Sequence, residues 1–113
     1  MPQSITIAIE APEADRALEE LFAIAGIQGR TQSVEPGPVY RDGGVLIAIG
    51  AIVGIVGGVA QIVSSIIDWR ERWKKAHENK QLSVTIEDAR GNRLALDQAS
   101  PEQITAVLQT LAS

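Results

Sequence analysis

Side chains able to do chemistry are few in this chain. It has no cysteine and one histidine, His77, which sits beside Lys75, Glu78 and Lys80 in a polar stretch and reads as a surface residue. Without cysteine there is neither a disulfide framework nor a thiolate zinc site, and one histidine cannot build a multi-histidine metal centre. A nucleophilic Ser or Thr needs a neighbouring base, and no second histidine exists to supply it. Adjacent carboxylates occur at Glu19-Glu20 and at Glu87-Asp88. The first pair reads as a solvated helix face. In the second, consecutive strand residues point to opposite faces and cannot converge on one substrate atom. The composition points away from an enzyme: no catalytic residue, metal ligand or cofactor site is assigned.

Charge and aromatic content narrow the partners. Fourteen acids stand against ten bases, a net charge of −4, and four side chains in the 113 residues are aromatic. A nucleic-acid binder would normally carry a basic footprint and stacking platforms, so nucleic acid is not an expected partner. The charges are also unevenly placed. Residues 1–42 hold seven acids and three bases, residues 43–67 hold none, and residues 68–113 hold seven of each. The rear zone opens with a basic cluster, Arg70, Arg72, Lys74 and Lys75, around Trp69 and Trp73. Tryptophans four apart share a helical face, and Trp with flanking bases marks the cytoplasmic edge of a membrane span. These six residues form a candidate interfacial anchor for lipid. The alternative is a solvated helix extension whose tryptophans pack on the domain.

The charge-free run itself, Val45–Ile67, is 23 residues long and contains thirteen Ile, Val and Leu. As one helix it would span about 35 Å, enough for a hydrocarbon core of roughly 30 Å. Those aliphatic side chains would favour insertion by about 5 kcal/mol before the polar and glycine positions are counted. Gly50, Gly54 and Gly58 recur at every fourth position, a stripe that lets a second helix approach closely. They are the candidate helix–helix contacts. Gly57-Gly58 sets two weak helix formers side by side, so this pair is a candidate hinge at which the run becomes a hairpin of two shorter helices.

The elements around the run are those of a water-exposed domain. Ile5, Ile7 and Ile9 alternate with Ser4, Thr6 and Ala8, a half-buried strand. A helix begins at Pro12 with acids in its first turn, carries Leu18, Leu21, Phe22 and Ala25, and ends near Gly26. Gly29–Glu35 is a polar edge strand, closed by Pro36-Gly37-Pro38, with a second break at Asp42-Gly43-Gly44. Leu82, Val84 and Ile86 mark another strand, joined through Gly91-Asn92 to a short one holding Leu94 and Leu96. Ser100-Pro101-Glu102-Gln103 is a capping box, and Ile104, Val107, Leu108 and Leu111 form the apolar stripe of the helix it opens. No basic n-region precedes an early apolar run, so no signal peptide is expected.

The expected fold is α+β over a single domain, 1–113, in the order β-α-β-α-β-β-α. A three- or four-stranded sheet carries two flanking helices, and 45–67 forms a long apolar glycine-rich central helix, a transmembrane or oligomerisation segment. Its length matches the whole diameter of a domain this size, roughly 35 Å, and its apolarity on every side calls for lipid or other subunits as cover. One tension follows. Strands before and after the run can share a sheet only if both ends lie on one side of a membrane.

The order of these elements resembles the effector-associated constant component family of bacterial conflict systems. The likeness rests on the leading strand and helix (Ile5–Ala25), the polar strand ending at Pro36-Gly37-Pro38, and the apolar middle with Gly50, Gly54, Gly57 and Gly58. It continues through Trp69-Arg70-Glu71-Arg72, the hairpin from Leu82 to Arg93, and the closing helix from Ser100-Pro101. The resemblance implies a small non-enzymatic component, encoded with a variable effector such as a peptidase and acting in antiviral defence. It carries no catalytic residues over.

Two functions are therefore expected. In the first, the chain self-associates through the glycine-striped helix and inserts into or disrupts the inner membrane by forming a pore, with homo-oligomer and membrane lipid as partners. In the second, a cytoplasmic adaptor oligomerises through that helix and recruits or regulates a partner effector such as a peptidase.

Overall fold

The computed structural model describes residues 4–36, 46–76, 83–88 and 90–112. The loop signals at Gly37-Pro38 and Asp42-Gly43-Gly44, together with His77, lie outside the described residues.

Eight main elements follow in chain order: β1 (Ile5–Ala11), α1 (Ala14–Phe22), β2 (Ile27–Pro36), β3 (Leu46–Ile55), α2 (Val59–Ala76), β4 (Ser83–Glu87), β5 (Arg93–Ala95) and α3 (Pro101–Ala112). A single 3-10 turn, Leu96–Gln98, links β5 to α3. The strands form one antiparallel sheet in the order β2-β3-β1-β4-β5. In the units β1-α1-β2 and β3-α2-β4, a helix joins two strands that leave room for a third between them. This is the split βαβ, or ferredoxin-like, arrangement, extended here by β5 and α3.

The long central helix is not formed. Leu46–Ile55 is instead β3, second in the sheet and paired on both sides, with β2 and with β1. The sheet accordingly has five strands, not three or four, and the order contains a strand where the sequence pattern suggested the first half of a helix. The physical reason lies in the residue types. Ile47, Ile49, Ile52, Val53 and Ile55 are β-branched, and Gly50 and Gly54 are poor helix formers. A strand carrying apolar residues on both faces has no period-2 signature, so an apolar run alone does not separate strand from helix. The tension over the membrane disappears with it, because the run supplies a strand of the very sheet it was thought to split.

The chain breaks where Gly57-Gly58 stand, though as a strand-to-helix turn and not a helical hairpin. Gly57 has φ +96°, a left-handed conformation that other L-residues rarely adopt. From Val59 the pattern becomes helical: Ile62, Val63, Ile66, Trp69 and Trp73 are buried while Ser64, Asp68, Glu71 and Arg72 are exposed. One helix thus continues through the charged stretch to Ala76.

Ile5, Ile7 and Ile9 of β1, Ala48 and Ile52 of β3, and Val84 and Ile86 of β4 share a core with the inward side chains of all three helices. α2 packs against both α1 and α3. Its central residue is Trp69, fully buried, whose indole N–H donates to the Ala17 carbonyl of α1 at 3.0 Å. The capping box holds at α3: the Gln103 amide N–H donates to Ser100 Oγ at 3.2 Å, and Ser100 N–H donates to Gln103 Oε1 at 2.9 Å.

Candidate interaction surface

The six residues proposed as a lipid anchor divide into structural and solvated groups. Trp69 is completely buried and Trp73 is 8 % exposed, so neither presents an indole to a membrane interface. The Arg70 guanidinium is mostly buried, and its Nη1 donates to the Leu96 carbonyl at 3.0 Å and to the Ala99 carbonyl at 2.7 Å. It ties the 3-10 turn to α2. Lys74 reaches the Asp97 carbonyl of the same turn, and Arg72 and Lys75 are exposed. Four bases close in sequence are thus split by the helical period between a packing role and solvent. Among the described residues, no helix is long and apolar enough to cross a membrane.

The glycine stripe is corrected as well, since three residues at every fourth position line a helix but not a strand followed by a turn. Gly50 is buried in β3, and a Cβ there would stand 2.7 Å from the Phe22 ring and 2.9 Å from the Arg30 carbonyl oxygen. It lets the end of α1 lie close on the sheet. At Gly54 a Cβ would meet the flexible Gln28 side chain at 2.6 Å, while Gly58 faces open space. The three positions fall on β3 and the turn after it and so do not line one face of a helix.

The carboxylate pair at the hairpin is likewise structural. Glu87 accepts from Arg93 Nε at 3.0 Å across the strand pair. Asp88 accepts from the backbone N–H of Arg90 at 2.8 Å and of Asn92 at 3.0 Å, and from Asn92 Nδ2 at 3.1 Å. Those bonds, the Asn92 backbone bond foremost, hold its carboxyl below the usual range because they favour the ionised form. Among the described residues no group of three or more His, Asp or Glu side chains converges to hold a metal ion.

What remains is the sheet face turned away from the core. Pairing places Thr6 beside Ala51 and Glu87, Ala8 beside Ile49 and Thr85, and Glu10 beside Ile47 and Ser83. Directly opposed residues share a face, and these positions alternate with the buried Ile5, Ile7 and Ile9. Toward the β2 side of this face runs an aliphatic stripe from β3: Ile47 and Ile49 are half-buried, Ala51 is covered, and Val53 is 47 % exposed. Val56, in the turn that follows, is 60 % exposed. Thr6, Arg30 and Glu35 border the stripe with polar side chains. Reading the run as one helix hid this surface. Alternation gave no signal for it, because apolar residues fill the positions between Ile47, Ile49 and Val53.

A shallow groove of about 600 Å³ also lies between the α1–β2 turn and α2, with Ile24 and Ala25 on one wall and Ser65, Asp68 and Arg72 on the other. It brings no reactive set together. Compared with known protein families, curated proteins and solved structures, the chain finds no match.

Proposed function

We propose that the chain is a non-enzymatic adaptor that recruits a partner effector through the sheet face that no described element covers. The observation that carries this reading is the aliphatic stripe of Ile47, Ile49 and Val53, exposed or half-buried on β3 between the polar side chains of β2 and β1. An apolar patch with a polar rim is the composition of a protein interface. The helical layer supports the same reading from the other side, because its apolar residues are already spent on the core and its basic residues on packing or solvent. The resemblance to the effector-associated constant components supports a bacterial defence role and supplies the class of partner, an effector such as a peptidase encoded with it.

The test is co-expression of the full chain with the effector encoded beside it, followed by affinity capture and measurement of the complex. Wild type holds the effector, and Ile49→Lys weakens the complex by at least about tenfold, the scale of a central interface side chain. Circular dichroism shows the variant folded. An effector that elutes alone from wild-type protein overturns the reading.

A further inference from the structure

We infer that two copies of this chain join through the free edge of β2, antiparallel, to make one continuous ten-stranded sheet. The inference deepens the adaptor reading, on which it rests, by doubling the recruiting face.

β2 is terminal in the sheet and pairs with β3 alone among the described strands. Its residues Gln28, Arg30, Thr31, Gln32, Val34 and Glu35 are all exposed, so nothing described covers the ten-residue edge. An uncovered edge of this length offers a row of backbone donors and acceptors to another strand. The opposite edge, β5, has three residues and is a much poorer template.

The occupant is chosen by the pattern of charges. Arg30 and Glu35 stand five positions apart, which in a regular strand would place them on opposite faces. Here the register shifts between Thr31 and Ser33, and the extra residue restores them to one face: Arg30 pairs with Ala51 and Glu35 with Ile47, both on the uncovered side. Thr31 and Val34, paired with Gly50 and Ala48, share the other face. Now let a second β2 lie antiparallel, with the two-fold axis between Gln32 and Ser33. Arg30 then opposes the second copy's Glu35, and Thr31 opposes the second copy's Val34. The two-fold repeats both contacts. Each of these opposed pairs falls on one face, both charge pairs are attractive, and Val34, 43 % exposed in the single chain, gains a neighbour. A bulge is also a common guard against edge pairing. Here it blocks arbitrary strands and leaves a self-complementary register open.

The test is the oligomeric state of the purified full chain by light scattering over a concentration series. Wild type dimerises. Arg30→Glu and Glu35→Arg each oppose like charges at two symmetric points and raise the dissociation constant by roughly tenfold or more. The double reversal restores attraction and recovers wild-type affinity to within about threefold. All four positions of substitution in the dimer are exposed, so folding is retained and is checked by circular dichroism. A wild type that stays monomeric overturns the inference but leaves effector capture to be judged by its own test. A dimer indifferent to either single reversal, or a double reversal without rescue, overturns the β2 register even where the chain does self-associate.

Discussion

The two halves of the charge-free run make an instructive pair. Leu46–Ile55 and Val59–Ile67 are both uncharged and rich in aliphatic side chains, yet one is a sheet strand and the other the first half of a helix. In β3 the core face is filled by small residues, Ala48 and Gly50, together with Ile52, while larger Ile47 and Ile49 point the other way. In α2 the buried positions are Ile62, Val63 and Ile66, and the exposed ones are Ala60, Gln61 and Ser64. Hydrophobicity summed over a window is therefore uninformative here, and spacing decides. The strand spends its bulk on an uncovered face, whereas the helix spends its bulk on the core.

If α2 is the structural half, its centre should be the most sensitive point of the molecule. Trp69→Ala removes a fully buried indole and its bond to the Ala17 carbonyl and should cost about 3–5 kcal/mol in urea unfolding. Retention of wild-type stability would place Trp69 outside the core and reopen an exposed role. The basic cluster sharpens the same contrast at smaller scale. Arg70→Met leaves the Leu96 and Ala99 carbonyls without their charged donor, a loss of about 1.5–3 kcal/mol. Arg72→Gln and Lys75→Gln, both exposed, should fall within about 0.5 kcal/mol of wild type. Equal effects at all three positions would contradict the division of the cluster.

The glycines compare the halves at their junction. Gly50→Val would drive a side chain into the Phe22 ring and the Arg30 carbonyl and should destabilise by about 1–3 kcal/mol, read as a lower urea midpoint. Gly57→Ala should cost about 1 kcal/mol, because its φ of +96° disfavours any Cβ. Gly58→Ala meets nothing and has no positive φ, so it should be neutral or stabilising by up to about 1 kcal/mol. Were the three to act alike, as a stripe on one helix would, the strand-turn-helix assignment would fail.

Much of the periphery was legible because its signals are local. The alternation of Ile5, Ile7 and Ile9 marks β1, the polar run at 29–35 lies within edge strand β2, and Ser100 with Gln103 caps α3. The middle was not legible from hydrophobicity, since an apolar run filling both faces carries no period-2 signal; its β-branched residues favour a strand, and the pairing with β1 and β2 on either side fixes it. Trp69 and Arg70 misled for a related reason. Trp and Arg suit both an interface belt and a buried contact with a polar handle, and only the Ala17, Leu96 and Ala99 carbonyls decide between them. The aliphatic stripe and the register shift in β2 depend on pairing across strands, and so they became visible only with the sheet assembled.

The smallest effect belongs to the β4–β5 turn, which lies outside both halves and so measures what local chemistry contributes beside the core. Asp88 gathers three donors at this turn, and they hold its carboxyl below the ordinary value. Its folded pKa is therefore lower than its unfolded one, near 3.9. The sign follows: the unfolded chain binds the proton more readily, so the turn's contribution is complete above about pH 4 and fades as pH falls through the folded value. Asp88→Ala should lower the unfolding midpoint slightly at about pH 7, and the gap from wild type should narrow as pH falls below the ordinary aspartate range. Carboxyl titration by NMR should put the Asp88 inflection below that of an ordinary aspartate. Amide exchange in β3 and α2 should quicken no more than the slightly lower global stability requires, because this turn is held by its own bonds and the core by others. Exchange in β3 that quickens as much as in the turn would show instead that the hairpin and β3 open as one unit.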